Sequence, residues 1–154
     1  MLETGTIAPA FTLQDQDGVT HSSDELKGKW SIIYFYPKDD TPGCTKEACT
    51  IAEIYQDFSS MGVTVFGVSK DSIASHKKFA EKYNLPFTLL ADTDTQMIAD
   101  YEALVEKSMF GKKIRGTARI TYIINPEGKI EKAYKKVTPA DHAVELLKDL
   151  EELV

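Results

Sequence analysis

Seven residues, Trp30-Ser-Ile-Ile-Tyr-Phe-Tyr36, constrain the fold more than any other stretch. All but Ser31 are apolar or aromatic, a composition that fits a pleated strand. Polar and apolar residues do not alternate, so the strand has no solvent face. That pattern predicts the middle of a sheet with helices covering both sides. Pro37 ends the strand, because it has no amide to give a central ladder. Val63-Thr-Val-Phe-Gly-Val-Ser69 repeats the pattern and predicts a second buried strand. Between the two, Ala48, Ile51, Ala52, Tyr55 and Phe58 recur at helical spacing, which predicts a helix over 45–58.

The alternation continues. Residues 72–83 predict a helix with Phe79, Ala80 and Tyr83 inward, stopped by Pro86. Phe87 to Leu90 predicts a short strand, and Thr95 to Tyr101 a short helix. Ile120–Ile124 and Lys129–Tyr134 flank Asn-Pro-Glu-Gly and predict a hairpin. Phe11–Leu13 and Val19–Thr20 flank Asp-Gln-Asp-Gly and predict another, with Ser22 or Ser23 capping a short turn before Gly28. Thr138 and Pro139 fit the cap and first position of a last helix. Ala143, Leu146, Leu147, Leu150 and Leu153 line one face of it. The stretch 102–119 is polar and weakly periodic and is expected to be loop. Strands alternating with helices predict a three-layer α/β domain with right-handed crossovers and one antiparallel pair. The expectation is a thioredoxin-like fold: a central mixed β-sheet flanked by helices, with an N-terminal β-hairpin. A chain of 154 residues suits a single domain, 1–154.

Charge narrows the function. A net charge of −6 argues against a nucleic-acid partner. No run approaches the roughly 18 apolar residues of a membrane span. The start, Met-Leu-Glu-Thr-Gly, lacks a basic stretch followed by an apolar run, so no signal peptide is expected. A cytoplasmic protein is the expectation, and in that reducing compartment two cysteines point to catalysis, redox exchange or metal binding rather than a permanent staple.

The two cysteines, Cys44 and Cys49, follow the first buried strand in Tyr36-Pro-Lys-Asp-Asp-Thr-Pro-Gly-Cys-Thr-Lys-Glu-Ala-Cys49. Cys44 falls in the first turn of the predicted helix. Unsatisfied amides and the helix dipole concentrate positive potential there, which favours thiolate, the nucleophilic form. The plain alternative is a buried, inert thiol. Cys49 lies five helical residues further on, rotated by about 500° and displaced by about 7.5 Å. That separation is outside disulfide reach unless the backbone moves. Either the pair is reduced and bonds when the helix partly unwinds, or Cys49 is helix-face packing beside Ala48 and Ala52. A zinc site needs four ligands; His21, His76 and His142 share no motif spacing with the cysteines, so neither metal nor cofactor is expected. Asp39 and Asp40 are expected to point outward, since a carboxylate close to Cys44 disfavours its thiolate.

Pro37-Lys-Asp-Asp-Thr41-Pro-Gly-Cys44 resembles the active-site signature of peroxiredoxins, P-x-x-x-T-x-x-C. The continuation to Cys49 resembles the bacterioferritin comigratory protein, or peroxiredoxin Q, subfamily. Ala8–Leu13, Gly67–Asp71, Leu89–Asp92 and Gly116–Ile130 are similar to further family segments, the last containing its arginine strand at Arg119. Ile120-Thr-Tyr122 and Tyr101-Glu-Ala-Leu104 depart from the family pattern at the rim. The resemblance implies a thiol-dependent peroxidase acting on hydrogen peroxide and organic hydroperoxides. Cys44 is then the nucleophile that passes to sulfenic acid, and Cys49 resolves it as an intrachain disulfide. Thr41 orients the peroxide, Pro37 shields the pocket, Arg119 stabilises charge and Glu47 orients Arg119. A thioredoxin-like dithiol recycles the enzyme, which is expected to be a monomer or weak homodimer. Two other functions compete: a thiol–disulfide oxidoreductase, whose Cys-x-x-Cys spacing is absent here, and a non-enzymatic binding protein with incidental cysteines.

Overall fold

The computed structural model describes residues 1–154. Its sheet is built around β3 (Ser31–Phe35), in which every residue is buried. β4 (Thr64–Ser69) pairs with β3 in parallel, and β5 (Thr88–Ala91) pairs with β4 in parallel. On the other side β8 (Thr121–Ile124) runs antiparallel to β3, and β9 (Ile130–Tyr134) closes the predicted hairpin with β8. β1 (Thr12–Asp15) and β2 (Thr20–Ser22) form the N-terminal hairpin, joined antiparallel to β5. The order across the sheet is β2-β1-β5-β4-β3-β8-β9. This is the mixed, thioredoxin-like sheet expected from the alternation of strands and helices.

Because β3 is apolar on both faces, it feeds two cores. Ile32, Tyr34 and Tyr36 point to one side, where α1 (Pro42–Glu53), α2 (Tyr55–Ser60), α3 (Ile73–Tyr83) and α5 (His142–Leu153) pack through Ile51, Phe58, Phe79 and Leu146. Ile33 and Phe35 point to the other, against Phe66, Tyr101 and Met97 and Ile98 of α4 (Gln96–Asp100). Burying each such side chain fully contributes roughly 1.5–3 kcal/mol. A single strand therefore holds both layers together. No helix is long and apolar enough to cross a membrane.

Three local expectations are corrected. The stretch 102–119 is not loop: β6 (Leu104–Met109) and β7 (Lys112–Thr117) form a separate antiparallel hairpin. Phe110 and Gly111, both at positive φ (52° and 73°), make its two-residue turn, the geometry that matches strand twist in tight hairpins. Its outer residues are exposed on both faces, so no burial alternation betrays it. The last helix starts at His142 rather than beside Thr138, because residues 138–141 form a turn first: the Thr138 carbonyl accepts from the amides of Asp141 and His142. The helix expected over 45–58 is two pieces that meet at Ile54, whose backbone (φ −114°, ψ 15°) leaves helical geometry.

Candidate active site

α1 begins at the end of β3, after the connection 37–41, with Thr41 as its extended N-cap and Pro42 at the first helical position. Proline suits that place because its missing amide has no helical partner there anyway. The first full-length helical bond runs from the Thr45 amide to the Thr41 carbonyl at 2.8 Å. The amides of Gly43 and Cys44 precede it and have no partner in the helix. No acidic side chain lies in this turn, and the Thr41 hydroxyl does not cap it; it donates instead to the Lys38 carbonyl at 2.8 Å. The positive end of the helix is thus left open beside Cys44, which is 1 % exposed.

A second positive group comes from 75 residues away. Arg119, just before β8, places Nη2 3.5 Å from Cys44 Sγ and donates from Nη1 to Glu47 Oε1 at 2.9 Å. Glu47 lies one turn after Cys44 and is fully buried. Burial raises its pKa to about 7, with Arg119 pulling the other way, and its second carboxylate oxygen has no partner. Burial also works against charge on Arg119, but Glu47 and the Cys44 sulfur outweigh it and raise the guanidinium above its ordinary value. Gly43 is what lets the guanidinium in: a Cβ there meets Arg119 Nη2 at 3.0 Å. An open groove of about 700 Å³, lined among others by Val105, Ala118, Ile120 and Val137, reaches Arg119 from outside.

Cys49 sits on the same helix and faces elsewhere. It is half-buried, free, and borders a shallow hollow with Asp40, Pro42, Lys46 and Tyr83. Burial raises its thiol pKa, Glu53 adds to the rise, and Lys46 offsets part of it. The helix between the cysteines is continuous, so the pair is reduced and separated, as helical geometry requires. Thr41, Cys44, Glu47 and Arg119 meet at the start of α1, and Pro37 lies in the connection that leads into it; Cys49 faces elsewhere.

Asp39 corrects an expectation. It is 8 % exposed and points inward, into a polar cluster. Its Oδ1 accepts from Tyr36 at 2.6 Å, and its Oδ2 accepts from Ser75 at 2.8 Å and faces His76 Nδ1 at 2.7 Å. Its amide donates to Asp71 Oδ2 at 2.8 Å, which also accepts from Ser69 at 2.6 Å. Asp40 does face outward, held by Lys82 and Tyr83. The ligand-type atoms of Asp39, Asp71 and His76 fall within 4.8 Å of one another; both Asp39 oxygens, Asp71 Oδ2 and both His76 nitrogens are engaged in hydrogen bonds, so the cluster rivets the connection to β4, α3 and β5. Asp71 ends the family-like segment Gly67–Asp71 and His76 is one of the three histidines, but nothing in the sequence links either to Asp39; their meeting depends on how α3 packs against the sheet.

A thioredoxin-like sheet that presents a buried cysteine at an open helix N-terminus, under a guanidinium, defines a thiol-based redox enzyme. Residues 4–133 match the AhpC/TSA family. A Coxiella burnetii protein provisionally named a Bcp peroxiredoxin is 49% identical over 146 residues, 95% of this chain and 97% of that one. Peroxiredoxin Bcp of Bacillus subtilis is 40% identical over 152 residues, covering 99% and 97%. The structure of a Xanthomonas campestris bacterioferritin comigratory protein, described for its alkyl peroxide reduction activity, superposes with a TM-score of 0.90 at 34% identity, covering 99% and 98%. The chain belongs to the AhpC/TSA family and is a thiol-dependent peroxidase of its peroxiredoxin Q branch.

Proposed function

We propose that Cys44 is the attacking thiol and Cys49 the resolving one, and that alkyl hydroperoxides as well as hydrogen peroxide are substrates. The contact of Arg119 with both Cys44 Sγ and Glu47 carries the reading. The guanidinium and the open amides lie beside Cys44 Sγ and face the oxygen on which negative charge develops as the O–O bond breaks. The Cys44 thiolate attacks one peroxide oxygen; the S–O bond forms, and the alcohol or water leaves after taking a proton. Thr41, whose hydroxyl lone pairs remain free, orients the peroxide. Pro37 shields the thiolate from solvent, and Glu47 fixes the guanidinium. The apolar side of the groove beside Arg119, formed by Val105, Ala118, Ile120 and Val137 and rimmed by Glu102, Lys135 and Lys136, is the proposed seat of an alkyl tail.

The Cys49 thiolate then attacks the sulfur of the sulfenic acid, releasing water and leaving a Cys44–Cys49 disulfide. An external dithiol of the thioredoxin kind reduces it by two exchanges. The bond requires the first turns of α1 to unwind, since the continuous helix keeps the two sulfurs apart. We further propose that residues 1–154 act as one catalytic unit, monomeric or weakly dimeric, in a reducing cytoplasm, with no nucleic-acid or membrane partner. The test is peroxide consumption coupled to a thioredoxin system, with mass spectrometry of the oxidised protein. Turnover with a Cys44–Cys49 intrachain bond is expected. Insulin reduction without peroxide consumption reassigns the chain as a thiol–disulfide oxidoreductase, and a stable sulfenic acid with no intrachain bond removes Cys49 from the mechanism.

A further inference from the structure

The connection between β3 and α1 is held at one point. Around Asp39, Tyr36 anchors from the end of β3, Ser75 and His76 from α3, and Ser69 from the end of β4 through Asp71. His76 carries the anchor one strand further, because its Nε2 lies 2.9 Å from the Leu90 carbonyl of β5. His76 is 0 % exposed, so water does not substitute for either partner. A carbonyl only accepts, so Nε2 bears a hydrogen. One more proton then lies between Nδ1 and Asp39 Oδ2, whichever of the two holds it. The ring is a two-ended clamp between the connection and the middle of the sheet.

Beyond Asp39 the restraint falls away. Asp40 sits at positive φ (55°) and is held by exposed side chains alone. Thr41 is tied back to Lys38 by its hydroxyl. Gly43 and Cys44 present open amides. The boundary between held and unheld backbone therefore falls between residues 39 and 40, shortly before the turn that unwinds in the proposed cycle.

We infer that His76, acting through Asp39, is a positioning residue of the peroxidase: it fixes the base of the Cys44 turn and sets the point at which unwinding of α1 stops. The inference rests on the unwinding cycle proposed above. With the clamp in place, the helix start returns to one position under Arg119 after each reduction. Without it, the connection drifts, Cys44 leaves the guanidinium more often, and reaction with peroxide slows while disulfide closure speeds up.

Hydrogen exchange on the wild-type protein, reduced and peroxide-treated, tests the stopping point. The Asp39 amide, bonded to Asp71, is expected to stay protected in both forms while residues 45–52 lose protection on oxidation. Loss of Asp39 protection along with that of Thr45, in protein shown by mass to carry the Cys44–Cys49 bond, overturns the inference and leaves the disulfide cycle intact. Absence of that bond overturns the cycle instead. A second arm does not depend on the bond. His76→Leu leaves the Asp39 carboxylate buried without its ring, so its melting point should fall; the double variant Asp39→Asn/His76→Leu removes the charge and should recover much of it. Single-turnover oxidation of Cys44 should remain at least about tenfold slow in the double variant, since the clamp is still missing. Recovery of the oxidation rate together with the melting point overturns the inference and makes the pair purely structural. Should the single variant not fold, the double variant alone decides, by the same rate.

Discussion

The turn of α1 that holds Cys44 is built by distant parts of the chain, whereas the turn that holds Cys49 is built by the helix and a shallow patch of surface. Around Cys44, Gly43 opens space, Arg119 fills it, and buried Glu47 fixes Arg119. Around Cys49 the influences are burial and two helix neighbours, Glu53 and Lys46. The difference suits two thiols with different tasks. A thiol that meets a dilute substrate needs a preformed environment. A thiol that meets a partner on its own chain needs proximity after a motion, and a rigid environment hinders that motion.

Replacing Cys44 breaks this comparison most completely. Cys44→Ser should abolish peroxide consumption even with Cys49 present; a rate within about tenfold of wild type shows that the environment is not what makes the nucleophile. Arg119→Ala should slow single-turnover Cys44 oxidation by roughly 10²-fold, the usual cost of one charge-stabilising donor, with closure onto Cys49 little changed. Stopped-flow measurement of the two phases separates them, and equal slowing of both means that Arg119 serves the fold and not the first thiol.

Glu47 sharpens the contrast thermodynamically. Its folded pKa of about 7 lies above its ordinary 4.5, so the folded protein holds a proton that the unfolded chain releases. That contribution to stability is fully present below about pH 4.5 and is lost as pH rises through about 7. Glu47→Gln removes the loss. Its stability relative to wild type should rise between about pH 5 and pH 8, by on the order of 3 kcal/mol at most; denaturant melts at both pH values check it, and a flat difference refutes it. The smallest effect belongs to the second thiol. Glu53 is exposed and raises Cys49 only in part, so Glu53→Gln should speed closure about twofold near neutral pH, with no change in the peroxide step. Closure that slows in this variant reverses the assigned role of the charge.

Much of this was legible in the sequence. The apolar β3 and β4 runs, with helical spacing between them, fix a sheet covered on both faces. The signature around Cys44 and the placement of Arg119 follow from resemblance, and the structure brings Arg119, Glu47 and Cys44 together. What stayed hidden depends on three-dimensional packing. Asp39 looks like a solvated loop acid, because nothing near it in sequence announces Ser75, His76 and Asp71. The β6–β7 hairpin escaped because its outer residues are exposed on both faces, Met109 and Ile114 included, so no apolar alternation marks it, and because its turn is Phe-Gly, not one of the Asn- or Asp-rich turns that mark hairpins. The late start of α5 reflects a turn at residues 138–141, where capping propensity alone favours a helix.

Arg119 reaches Cys44 across 75 residues of sequence, and this separation governs when the thiol becomes active during synthesis. As the chain leaves the ribosome, Cys44 emerges long before Arg119. β3 also lacks its β8 neighbour until residues 121–124 are made. A nascent chain, or one truncated before Arg119, therefore carries the cysteine without the guanidinium beside it. With Arg119 in the role proposed above, full reactivity toward peroxide arrives only with completion of the fold.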